Sequence, residues 1–202
     1  MQHTGGSASG TTLLLALLPS FTFYYAIIAA ILPTTIASYS LVGEKVEKSL
    51  EPLLATPMTD AEILLGKGMA AFLPPIGATY LGALIFMGSV DVLTQDGFGY
   101  LYFPNLIAGA VLLLLVPLSA IMSIELNVMI SSRVSDVRTS QQLGFLTVFP
   151  MAAVYLASEL GLVSLDVATL LTISGILLIA DLLLMYVTRA TFQRDQILTR
   201  WK

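Results

Sequence analysis

The chain has 202 residues, of which 56% are hydrophobic and only 11% charged, and its net charge is -4. Soluble domains carry roughly 25% charge, so an ordinary soluble globule is excluded. The mild acidity gives no reason to expect nucleic acid as a partner, and with no cysteine there can be neither a disulfide nor a thiolate metal site.

Met1 to Thr11 reads as a polar extracytoplasmic tail, without the Lys or Arg that a signal peptide places before its apolar run. A helix crossing the roughly 30 Å hydrocarbon core needs about 20 mostly apolar residues. Such stretches follow at about 12–42, 60–90, 103–130, 142–160 and 166–188. Runs such as Val111 to Val116 do not alternate, which excludes the strands of a membrane barrel. The predicted fold is therefore all-α: a polytopic membrane bundle of about five transmembrane helices, forming one domain over 12–202. In lipid, neighbouring helices can satisfy backbone groups freed by interior prolines, so Pro19, Pro33, Pro74, Pro75, Pro117 and Pro150 are expected as kinks.

The basic residues orient this bundle. Lys45, Lys48 and Lys67 flank the first loop, Arg133 and Arg138 the third, and Arg189, Arg194, Arg200 and Lys202 the tail. With five crossings all nine lie on one side. Basic residues next to membrane helices are retained in the cytoplasm, so the N-terminus is predicted outside and the C-terminus inside a cell membrane. The opposite loops, around Asp91 to Gly99 and Glu159 to Asp166, contain acids and no Lys or Arg.

Between the first two spans lies the segment with most information. Val46, Leu50, Leu53 and Leu54 recur at helical spacing, with Glu44, Lys45, Glu47, Lys48 and Glu51 elsewhere, which predicts an amphipathic cytoplasmic element. Pro52 favours a first helical turn, so a break is expected near Ser49 and a restart at Pro52. Pro57 holds Thr56 extended and ends the short helix. Thr59 and Glu62 have capping-box spacing for the next membrane helix. Two readings fit this pattern: a helix lying passively in the headgroups, or one offering its leucines to a groove on a cytoplasmic partner.

The run Gly43-Glu44 through Glu51-Pro52-Leu53-Leu54-Ala55-Thr56-Pro57, followed by Glu62-Ile63-Leu64-Leu65-Gly66-Lys67, resembles the cytoplasmic loop of permease subunits of ABC exporters of the second type. Ser131 through Gln142, with Arg133, Asp136 and Arg138, looks like the second cytoplasmic loop of that family, especially in archaeal members. The likeness covers the chain from about residue 15. It departs at the start, because such permeases usually have six membrane helices and often an extracytoplasmic domain after the first. A short variant, or a chain lacking that first part, is then expected. The resemblance implies a transport subunit that pairs with a second permease chain and with a separate ATP-binding cassette ATPase. It also implies that the stretch from about Ser49 to Pro57 is the coupling helix seated in that ATPase. Gly66-Lys67-Gly68 lacks the other residues of a P-loop, so ATP and Mg are expected on the partner and no cofactor in this chain. The alternative is a non-transporting anchor or assembly subunit that docks its partner through the same helix.

Two acids fall inside apolar stretches. Glu125 lies a little over one turn before the end of its helix and Asp181 about two turns before Arg189, and neither has a second carboxylate near it in sequence. Intramembrane acids suggest either structural pairing or a part in a substrate path. The single histidine, His3, sits in the polar tail, so neither a histidine metal site nor a serine activated by histidine is expected, and the chain does not read as an enzyme. Gly77, Gly82 and Gly88 are expected to let a neighbouring helix approach closely.

Overall fold

The structure is a computed structural model that describes residues 4–46, 60–134 and 136–191. Its elements in chain order are α1 (Thr4–Val46), α2 (Asp60–Phe98), α3 (Leu106–Ala110), a π-helical turn (Val111–Leu115), α4 (Val116–Arg133), α5 (Val137–Gly144), a 3-10 turn (Phe145–Val148), α6 (Phe149–Glu159) and α7 (Val167–Thr191). Among the described residues there is no strand. Four helical stretches among the described residues are long and apolar enough to cross a membrane: Leu13–Tyr39, Leu65–Gln95, Leu106–Ser131 and Val167–Thr188. A polytopic helical membrane protein is what these lengths and compositions describe.

The remaining apolar stretch, expected as one helix over 142–160, is built from three pieces, none of membrane-crossing length by itself. Pro150 is the physical cause. Without an N-H it cannot donate to the carbonyl of Leu146 four residues back. The chain tightens instead, and the Phe149 amide donates to Leu146 across a 3-10 turn. Pro117 produces the opposite local solution, a widened π turn in which the Val116 amide reaches the Val111 carbonyl.

Several boundaries differ from the sequence reading. α1 is helical from Thr4, where a polar tail was expected, and α2 continues to Phe98 instead of ending near 90. Once nucleated by an apolar run, a helix extends through adjoining residues at little cost, which polarity alone does not reveal. Asp91, expected in a loop, is therefore helical, and its Oδ1 accepts the amides of Tyr102 and Phe103 at 2.9 and 3.0 Å. Asn105 then caps α3 by accepting the Ala108 amide at 2.8 Å. α6 closes at Gly161, whose φ of 71° suits glycine, with Leu162 N donating to Ala157 O at 2.9 Å.

α1 and α4 form the centre. Half of the most apolar window in the third membrane stretch is buried, against 17% in the second and 22% in the last, so α2 and α7 present most of their surface outward. α2 packs on α1 and α4, α7 on α4, and α5 across the ends of α1 and α4. Phe23, Val111, Leu115, Val116 and Leu170 are wholly buried where these helices meet. Outward leucines such as Leu84, Leu113 and Leu183 suit lipid, where an apolar surface needs no covering.

Candidate functional site

The first polar cluster lies between α1, α4 and α5. Small polar residues recur every fourth position on α4, as Ser119, Ser123, Asn127 and Ser131, and face Thr34 and Ser38 of α1. The Thr34–Ser123 contact (3.1 Å), the Ser38–Asn127 bond (2.7 Å) and the bond from the Val42 amide to Ser131 (3.1 Å) all span 89 residues, so α1 and α4 run parallel in fixed register. The Ser123 hydroxyl donates to Ala30 O at 2.6 Å, Asn127 Nδ2 to Ser123 O at 2.7 Å, and Ser131 to Ser38 O at 3.0 Å. From α5, Ser140 donates to Ser38 O at 3.3 Å, and Gly144 lies so close to Asn127 and Thr34 that a Cβ there would overlap both. Each named side chain in this seam is buried and hydrogen bonded. Such a satisfied network in an apolar medium joins helices, and it leaves no group over for chemistry.

The second cluster is different. α2, α4 and α7 each turn one stripe toward a cavity of about 320 Å³: Leu65, Met69 and Phe72 from α2, Ile121, Glu125 and Val128 from α4, and Met185 and Thr188 from α7. The spacing in each stripe is that of one helix face. Asp181 lies on the same face of α7 as Met185 and Thr188, is only 6% exposed, and is within electrostatic reach of Glu125. Neither of its carboxylate oxygens is hydrogen bonded. α4 packs on α7, the two helices that carry these acids. The Thr188 hydroxyl is also buried without a hydrogen-bond partner, whereas Thr172 and Ser174 of the same helix bond back to carbonyls one turn earlier.

The second loop resemblance falls on the short turn from α4 to α5. Arg133 and Arg138 are exposed there, and Arg133 in the last turn of α4 complements the helix dipole. Asp136 caps α5, accepting from the amide and hydroxyl of Thr139 at 2.9 and 3.0 Å, and those two bonds hold its carboxyl below the usual range. Asp166 does the same for α7, lowered by Thr169. Ser49, Leu50, Glu51, Pro52, Leu53, Leu54, Thr56 and Pro57 lie outside the described residues, as does the side chain of Val46. The packing expected of the second helix's glycines is found at Gly82 only, 3.7 Å from the Tyr25 ring, because Gly77 and Gly88 face open space.

Sequence reasoning missed the hydrogen-bonded seam and the cavity's apolar stripes. The seam had a signal in the four-residue spacing of Ser119, Ser123, Asn127 and Ser131. The stripes had none, because leucines facing a cavity and leucines facing lipid are alike in sequence. Among the described residues no group of three or more His, Cys, Asp or Glu side chains is placed to hold a metal. Compared with protein-family models, curated proteins and solved structures, the chain finds no match.

Proposed function

We propose that this chain is the membrane-spanning permease subunit of an ATP-binding cassette exporter, working with a second permease chain and a separate ATPase. The observation that carries this reading is the run from Gly43 to Pro57 followed by Glu62 through Lys67, between the first two membrane helices. The four apolar crossing helices are compatible with it. A fifth crossing would come from α5, the 3-10 turn and α6, which run without a break from Val137 to Glu159, about 34 Å at 1.5 Å per residue. Met1 would then lie outside and Lys202 in the cytoplasm.

In this scheme the stretch from about Ser49 to Pro57 docks in the ATPase and transmits its closure to the bundle. Burying one leucine contributes about 1.5 to 3 kcal/mol, and an aspartate in its place would also bury a charge. The test is co-purification with a co-expressed ATP-binding cassette ATPase, together with ATP-dependent transport, for Leu53→Asp and Leu54→Asp. Both variants should reach the membrane at normal abundance and lose ATPase binding and transport. Retained binding and transport in both would make the loop an interfacial passenger. Binding without any ATP-driven transport by the unaltered pair would favour the anchor reading.

A further inference from the structure

The cavity between α2, α4 and α7 lies at one end of the membrane stretches. Leu65 on its α2 wall is the first residue of the second stretch, Thr188 on its α7 wall is the last residue of the fourth, and Val128 on α4 lies one turn before Ser131, the end of the third. At that depth hydrocarbon gives way to headgroups. Phe72, Ile121, Val128 and Met185 make the walls apolar, and Leu65 and Met69 are 62% and 50% exposed, so the cavity opens to the outside of the bundle on its α2 side. Glu125 also lines it, but it has an interaction partner of its own, so its charge does not call for a ligand. The Thr188 hydroxyl is buried without a hydrogen-bond partner, although Thr172 and Ser174 of the same helix bond back to carbonyls one turn earlier. A buried hydroxyl left unbonded is costly, and an oxygen brought by a ligand would supply the acceptor. A volume of about 320 Å³ is that of a small-molecule pocket.

We propose that this cavity holds one hydrocarbon chain of a phospholipid from the leaflet on the side of Lys67 and Arg133, with the chain against Phe72, Ile121 and Val128 and the oxygen that joins it to glycerol accepting the Thr188 hydroxyl. The occupant follows from depth and chemistry together: a chain with one oxygen at its head is what the bilayer presents where the apolar walls end at a single hydroxyl. A metal ion would find too few oxygen ligands in these walls, and a polar solute would leave most of its own groups unbonded. The site is formed by α2, α4 and α7 alone, so it stands whether or not the chain couples to an ATPase.

The test is a titration of the full chain in detergent with 1-palmitoyl-2-oleoylphosphatidylcholine, read by native mass spectrometry. The first lipid should bind about tenfold tighter than the next. Gly68 lines the cavity and a Cβ there meets nothing within 4 Å, so Gly68→Trp enters the space without a backbone clash and should abolish the tight event. Gly77 on the same helix is equally open but lies away from the cavity, and Gly77→Trp should leave the tight event unchanged. Thr188→Val keeps the shape, removes the hydroxyl, and should weaken the first lipid about threefold to tenfold. No distinct first lipid, an undiminished one in Gly68→Trp, or an equal loss in Gly77→Trp would overturn the proposal. So would a lipid-free dimer that Gly68→Trp dissolves, because the cavity would then be covered by a second copy of the chain. Unchanged affinity in Thr188→Val would overturn the contact with the linking oxygen. If Gly68→Trp fails to fold by size exclusion and circular dichroism, Leu65→Trp on the exposed rim of the same cavity takes its place, with the same loss expected.

Discussion

The Tyr80 hydroxyl on α2 donates to the backbone carbonyl of Leu112 at 2.8 Å, and Leu112 is the residue whose carbonyl Pro117 leaves without a donor. In a π register a carbonyl is met by the amide five residues on, as Val111 is by Val116. The amide due at Leu112 is that of Pro117, which has no hydrogen. The tyrosine from a neighbouring helix supplies the missing bond and so ties α2 to the widened turn. Tyr80→Phe should therefore destabilise the protein by about 1 to 3 kcal/mol, the cost of an unsatisfied buried acceptor. In a Pro117→Ala background, where an amide hydrogen returns, the same substitution should cost clearly less. Denaturant unfolding of the four proteins in a double-mutant cycle measures the difference, and additive effects would refute the account.

The close approach of α5 to the central pair gives a second prediction. A Cβ at position 144 would overlap the Asn127 side chain and crowd Thr34, neither of which can move without breaking its own bonds. Gly144→Ala should cost about 1 to 3 kcal/mol as an overpacked contact. Asn127→Ala removes the obstructing atoms, so Gly144→Ala should be nearly free in that background. Thermal unfolding in detergent provides the readout.

Asp136 makes α5 sensitive to acid. Its folded pKa is depressed by the bonds from Thr139, so its contribution is fully present above the ordinary carboxylate pKa and lost as pH falls through the lowered folded value. Asparagine caps a helix about as well and does not titrate. Protection of the Thr139 amide against hydrogen exchange, corrected for intrinsic rates, should fall on acidification in the unaltered chain and stay level in Asp136→Asn.

The sequence was enough to expect an all-helical membrane bundle, because long apolar runs that do not alternate leave the helix as the arrangement that satisfies the backbone in lipid. The prolines marked where helices would be disturbed, yet Pro117 widens its turn, Pro150 tightens its own, and Pro19 and Pro33 lie inside a single helix. What decides between them is tertiary: Tyr80 is at hand for Leu112, and Leu146 finds its donor within its own turn. Glu125 and Asp181 were visible as polar residues in apolar runs, but which faces of α4 and α7 they share depends on how α7 lies on α4, and no local pattern encodes it. Nor did glycine spacing on α2 identify a packed face, since only packing distinguishes Gly82 from Gly77.

The composite stretch from Val137 to Glu159 decides the topology, and the absence of native cysteine makes it easy to probe. If this stretch crosses the membrane, position 138 at its start and position 164 after it lie on opposite faces. If it turns back within the bilayer, they lie on the same face, and α7 must run the other way with the C-terminal basic residues outside. Arg138 and Ser164 are both exposed, so a cysteine at either is open to reagent. Single cysteines at Ser164 and Tyr100 should react with an impermeant maleimide in intact cells, whereas one at Arg138 should react only after permeabilisation. The positive-inside rule favours this outcome, because it keeps Arg133, Arg138 and the basic tail together in the cytoplasm. Labelling of Arg138→Cys and Ser164→Cys from the same side would leave four crossings, remove the outside N-terminus from the scheme or the inside C-terminus with it, and require the coupling loop to be sought again.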